Sequence, residues 1–304
     1  MGKKKRPTLQ ELNLCDDFLF AKVMENEEVC RRLLEKILNL RIKKVRFVEP
    51  QLTKDVVHDA KSVRLDILLE DDENNVYTVE MQKMDEYNIP ERSRYYHSIV
   101  DVEQLLKKGM SYNELKCNYV VFLCLFDCFG QGRHKYSFRN LCEEDPSLEL
   151  NDQAYTVILN TKGTADDVDE EMKTLLRYIE ESTDEVAESS GSELLALIHS
   201  QVREIKRSRG SEVSYMKFDE LMQKEYSQGL SEGLSQGRQE GLSDGERLKL
   251  IQQIKRKCLK GKSIQQIAEE LEEEVAAIQK IVEVVMEDME ASEEDVLRKL
   301  DNQV

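Results

Sequence analysis

At 304 residues the chain is long enough for one full domain with its own core plus an appendage. Charged residues make up 35% of it and aromatics only 6%, with no Trp, which argues against an all-β architecture and for helices with solvated faces. The formal net charge of -17 opposes general affinity for nucleic acid, which depends on Lys and Arg displacing counterions, so charge has to be read locally.

Much of the acid lies at the end, where residues 269–304 hold 13 Asp and Glu against Lys280, Arg298 and Lys299. Basic residues cluster at 3–6, 31–46, 203–209 and 247–262, each cluster being either a DNA-facing patch or a solvated helix face. Seven Cys, with no C-x-x-C and no paired Cys/His spacing, argue against a disulfide framework and against a zinc site, and point to the cytoplasm. The four His show no i,i+4 ligand pair. The longest apolar run, 119–126, is too short to span a bilayer, and Lys3 to Arg6 precede no apolar segment, so neither signal peptide nor membrane anchor is expected.

In chain order, the apolar residues Phe18, Val23, Val29, Leu33, Leu34, Ile37 and Leu38 predict one amphipathic helix over 16–40. Residues 44–48 predict a short strand and 63–69 a second, in which Val63, Leu65, Ile67 and Leu69 alternate with Arg64, Asp66 and Leu68. The acidic, Asn-rich stretch 70–75 is a turn, after which Tyr77, Val79 and Met81 alternate with Thr78, Glu80 and Gln82 in a third strand.

Centring that turn near Glu73 places Asp66 directly across the hairpin from Glu80. Opposed side chains have Cβ atoms about 5 Å apart, and two carboxylates at that distance repel by about 3 kcal/mol at an effective dielectric of about 20. Stability alone does not select such a pair. A divalent cation removes the penalty, because Mg²⁺ prefers one or two carboxylates, retained waters and a substrate phosphate. Gln82, two residues beyond Glu80, shares its face of the strand.

The run from Arg64 through Asp66 and Glu80 to Gln82 resembles the core hairpin of the PD-(D/E)XK nuclease superfamily. More closely, it resembles the Rpn-type recombination-promoting nucleases and transposases, in which E-x-Q stands where other members have E-x-K. The likeness extends to D-D-F-L-F-A-K-V-M at 16–24, E-R-S-R-Y-Y-H at 91–97, the block 105–116 with its following strand, and the Gly-spaced segment. It implies an α/β fold, a restriction-endonuclease-like core with a mixed central sheet flanked by helices, followed by an extended helical C-terminal region. It also implies a metal-dependent DNA endonuclease linked to recombination or mobile elements, with Mg²⁺ or Mn²⁺ as cofactor and DNA as partner. The expected catalytic residues are Asp66, Glu80 and Gln82, with Asp66, Glu80 and the Met81 backbone carbonyl as metal ligands. Asp17, Arg94, Tyr95 and Tyr96 are expected in supporting roles, against plainer readings of Asp17 as a helix cap and of the Tyr pair as packing. Leu65 stands where the motif has Pro, and Gln82 where it has Lys, which removes a positive charge but keeps a hydrogen-bond donor. A catalytically silent DNA-binding or regulatory protein of a mobile element is the alternative, and an acidic helical scaffold a third.

Pro90 predicts the start of a helix running to Gly109, 118–127 a central strand, 135–139 and 155–159 further strands, and 167–181 and 192–207 helices. Gly229, Gly233, Gly237, Gly241 and Gly245 recur every four residues, which reads as a bendable helical connector or as a face for pairing with another copy through the C-terminal helices. Ser263 caps a short helix and a second begins at Val275, a helix-turn-helix outline whose Glu272 to Glu274 favour a protein contact over a DNA reader. The expected division is a nuclease-like domain at 1–210, a connector at 211–250 and an acidic helical tail at 251–304.

Overall fold

The computed structural model describes residues 6–48, 66–102, 109 and 111–301, in two compact units, Met1–Phe218 and Asp219–Val304. Val63 to Leu65 and 103–108, which the strand and helix expectations include, lie outside the described residues.

The first unit is a six-stranded mixed sheet between helices. Its strands are β1 (Val45–Phe47), β2 (Ile67–Asp71), β3 (Val76–Gln82), β4 (Asn118–Cys124), β5 (Lys135–Phe138) and β6 (Ala154–Asn160), in spatial order β1-β2-β3-β4-β6-β5. The pairs β3–β4 and β4–β6 are parallel, while the other three are antiparallel. Central β4 is almost wholly buried, as its unbroken apolar run requires of a strand covered on both faces.

The single helix expected over 16–40 is two, α1 (Asp17–Val23) and α2 (Glu27–Leu38). Asn26 breaks it: its side chain accepts from the Glu28 and Val29 N–H groups, which favours a new helix start over continuation. α2 ends at Asn39 in the left-handed region, φ 55°. The basic cluster around α2 is internally compensated, with Arg31 and Arg32 on Glu28, Arg31 also on Glu35, Lys36 on Asp169 and Glu171, and Arg46 on Glu70.

α1 and α2 cover one face of the sheet together with α4 (Glu170–Glu180), α5 (Asp184–Glu188) and α6 (Glu193–Arg207), closing over Tyr77, Val79, Met81, Val121 and Leu123. On the other face lies α3 (Ile89–Val100), which contributes Tyr96 and Val100 to a core with Val76, Val120 and Phe122. The alternation of β3 therefore sends Glu80 toward α3.

The β2–β3 turn is knotted around one carboxylate. Asp71 accepts from the Glu73 and Asn75 N–H groups at 2.8 and 2.9 Å, from the Asn75 amide at 2.9 Å and from the buried Tyr77 hydroxyl at 2.7 Å. Asn74 supplies the left-handed residue, φ 65°, which Asn tolerates well.

The Gly-spaced segment lies within one 50-residue helix, α7 (Arg209–Cys258). In the second unit its last turns bury Ile251, Ile254 and Cys258 against α8 (Ile264–Leu271), α9 (Val275–Glu287) and α10 (Glu293–Asp301). Ser263 caps α8 by accepting from the Gln266 N–H. No helix among the described residues is long and apolar enough to cross a membrane. An added Cβ at Gly233 or Gly237 meets nothing within 4 Å, and Ala is favoured over Gly in a helix by about 1 kcal/mol. The double variant Gly233→Ala/Gly237→Ala is therefore expected to slow amide hydrogen exchange across 229–241. Unchanged exchange would mean that helix propensity does not limit this segment.

Candidate active site

The β2–β3 register is Ile67↔Val79, Leu68↔Thr78 and Leu69↔Tyr77, which continued outward by one residue sets Asp66 opposite Glu80. Asp66 stands just before β2 and is exposed, whereas Glu80 is only 2% exposed, so the pair runs from the surface into the interior. Two hydrogen bonds lace them: the Asp66 N–H donates to Glu80 Oε1 at 2.8 Å, and the Met81 N–H donates to Asp66 Oδ2 at 3.0 Å. A strand residue turns its N–H and C=O to the same neighbour, so the Met81 carbonyl faces this edge as well.

Burial pushes Glu80 up to about 8, and the Asp66 charge adds to it, while the Asp66 N–H, Arg92 and Tyr96 pull the other way. The Tyr96 hydroxyl reaches Glu80 Oε2 at 3.3 Å, and its ring stacks on Phe122 with centroids 5.9 Å apart. Tyr96 thus both packs α3 on the sheet and touches the acid. Burial, and next the Glu80 charge, push its hydroxyl up to about 12.

Gln82 is half-buried at the end of β3, and its Oε1 accepts from Arg92 Nη1 at 2.6 Å. Arg92 Nη2 donates to the Tyr96 hydroxyl at 2.7 Å and stands 3.6 Å from Glu80 Oε2. Arg92 is the residue that sequence reasoning missed. A signal was present, since Arg92 and Tyr96 are spaced i,i+4 and so share one face of α3.

The other expected residues have the following surroundings. Asp17 is the first residue of α1, after Asp16 at the cap position, and lies 3.4 Å from Lys83 Nζ, which also holds Asp16 at 2.9 Å. Arg94 lines a separate cleft with His97, Phe129, Phe138 and Arg139. Tyr95 is half-buried against the core between α3 and the sheet. Among the described residues, no group of three or more His, Cys, Asp or Glu side chains gathers as a metal cage.

A mixed sheet flanked by helices, with an acidic pair at the end of its central hairpin, defines a PD-(D/E)XK-type α/β core. The model of the family described as PD-(D/E)XK nuclease family transposase matches residues 16–227, more than half of the chain, and the chain belongs to that family. Comparison with curated proteins and with solved structures gave no match.

Proposed function

We propose that the chain is a DNA endonuclease that hydrolyses phosphodiester bonds with the help of Mg²⁺ or Mn²⁺, in recombination or the movement of mobile elements. The observation that carries this reading is the meeting of Asp66 and Glu80, with Gln82 beside them, at the exposed end of a buried hairpin. The oxygens present suit a hard divalent cation: two carboxylates and the Met81 carbonyl leave room for water and a phosphate, as Mg²⁺ prefers. The elevated Glu80 supports the same reading, because burial and the Asp66 charge outweigh the pull of Arg92, and a bound cation would offset both.

Asp66, Glu80 and the Met81 carbonyl would hold the ion, and when bound it would lower the pKa of a coordinated water and offset charge building on the phosphate. The residues of the chain do the rest. The Met81 N–H fixes the rotamer of Asp66, the Asp66 N–H and the Tyr96 hydroxyl hold the two Glu80 oxygens, and Gln82 orients the attacking water or a phosphate oxygen. The water oxygen bonds to phosphorus as the water gives up a proton to solvent, the bond from phosphorus to one sugar oxygen breaks, and that oxygen takes up a proton from solvent. The exposed Leu221, Leu230, Leu234 and Leu242 of α7 support association of two copies through the C-terminal helices.

The test is nicking of supercoiled plasmid by the full-length chain in Mg²⁺, in Mn²⁺ and in excess chelator. Open circles that accumulate with either ion and not with chelator are expected. A chain that retains duplex DNA in a gel shift yet nicks with neither ion is a silent binding protein instead.

A further inference from the structure

Where the motif ordinarily carries Lys, this chain has Gln82, so β3 itself brings no cation to the acids. We infer that Arg92, one helix away on α3, supplies that positive charge and sets the Gln82 amide with its NH₂ group toward the reacting water or phosphate. The inference rests on the nuclease reading above.

Three contacts carry it. Arg92 Nη1 meets the Gln82 side chain at 2.6 Å. A guanidinium only donates, so the atom that meets it has to be the amide oxygen, and the amide nitrogen with its two N–H groups faces away from Arg92. Left to itself, Gln82 could turn either end outward; the contact selects the donor end. The second contact, Nη2 to the Tyr96 hydroxyl at 2.7 Å, together with the Arg92 carbon 5.5 Å from the centre of the Tyr96 ring, anchors the cation from its own helix.

The third is the 3.6 Å approach of Nη2 to Glu80 Oε2, too long for a direct hydrogen bond. Arg92 lies alongside the acid without being locked onto it, so an ion taken up by Asp66 and Glu80 leaves its anchors on Gln82 and Tyr96 in place. The neighbouring basic side chains are engaged elsewhere. Lys83, next to Gln82 in sequence, has its ammonium on Asp16 and Asp17, and Arg94 borders the other cleft. Arg92 is a positioning residue for Gln82 and a fixed charge for the phosphate, held within reach of both by its contacts to Gln82 and Tyr96.

The test compares the wild-type chain, Arg92→Gln, Arg92→Lys and the double variant Gln82→Lys/Arg92→Gln in two measurements: plasmid nicking in Mn²⁺, and Mn²⁺ affinity of the metal-free protein by calorimetry. Arg92→Gln is expected to lower kcat on the order of a hundredfold, as for loss of a preorganised donor at a developing charge. Its Mn²⁺ affinity is expected to be unchanged or tighter, because a competing cation beside Glu80 is gone. Arg92→Lys keeps part of the rate, and the double variant, with the charge moved onto β3, exceeds Arg92→Gln. Wild-type rates in Arg92→Gln overturn the inference and leave the nuclease reading standing. So does loss of Mn²⁺ affinity in parallel with rate, which marks a merely structural role, and so do a Lys variant and a double variant no faster than Arg92→Gln. A wild-type chain that binds Mn²⁺ without nicking is a different pattern, and it takes down the reading and the inference together.

Discussion

Asp66→Ala is expected to abolish metal-dependent nicking while leaving the fold intact. Asp66 is exposed at the open end of the hairpin and belongs to neither core of the first unit, so truncating it leaves no cavity. The structural cost includes the acceptor of the Met81 N–H, worth about 1 kcal/mol. Its backbone N–H, which holds Glu80 Oε1, survives the substitution. Relief of charge repulsion at Glu80 offsets part of that cost, since Asp66 helps to push that acid up. Stability and activity therefore part company. Losing even an outer partner of a metal ligand costs about 10- to 100-fold, and loss of a direct ligand is expected to reach at least the upper end. First-order nicking rates and melting curves of the same preparations check this, and a folded Asp66→Ala that nicks at the wild-type rate removes Asp66 from the chemistry.

Glu80→Gln is expected to make the metal-free protein more stable at neutral pH. Glu80 rises from an ordinary 4.5 to about 8 on folding. Between those values the unfolded chain has released the proton and the folded chain retains it, so the unfolded state binds fewer protons and stability falls as pH rises. The decline begins near pH 4.5, continues to about pH 8 and then levels off. By pH 7 it amounts to about 3 kcal/mol, at about 1.4 kcal/mol per pH unit. Gln at this position keeps an oxygen for the Asp66 N–H and has nothing to ionise. For a domain of this size the gain at pH 7 corresponds to roughly 5–10 °C in Tm, shrinking toward zero near pH 5. Mg²⁺ is expected to raise the Tm of the wild-type chain and to leave that of Glu80→Gln unchanged. A wild-type Tm that is flat from pH 5 to 8 would show that the Glu80 carboxylate is better solvated than its burial indicates.

The hairpin was legible in the sequence because both of its determinants are local. A period of two assigns each residue to a face, and a short polar turn fixes which residues meet, so Asp66, Glu80 and Gln82 could be grouped before any coordinates. Arg92 could not be grouped with them in that way. Its place depends on how α3 crosses the sheet after β3, which side chains of both elements decide together. Arg94, Tyr95 and Tyr96 are neighbours in sequence, but consecutive helical residues point in different directions, and it is the Tyr96 hydroxyl that meets Glu80. The break between α1 and α2 was written in Asn26 followed by Glu27 and Glu28, a cap and an acidic first turn, but the apolar spacing on either side concealed it. α5 and α10, of five and nine residues, are too short for periodicity to resolve and owe their helicity to packing.

The turn around Asp71 acts as a gauge for a candidate site it does not touch. From Asp71 to Asp66 is five residues of extended chain, about 16 Å at about 3.3 Å per residue. Over that span the four bonds gathered by one carboxylate determine which row of side chains looks at α3. One residue added to or removed from the bend would slide the strands by a single step and carry Asp66 to the wrong side, with every reactive group still present in the chain. Divergent copies of such a protein can therefore be silenced by a change in loop length as surely as by loss of an acid, and their competence is better judged from the spacing between the two carboxylates than from their mere presence.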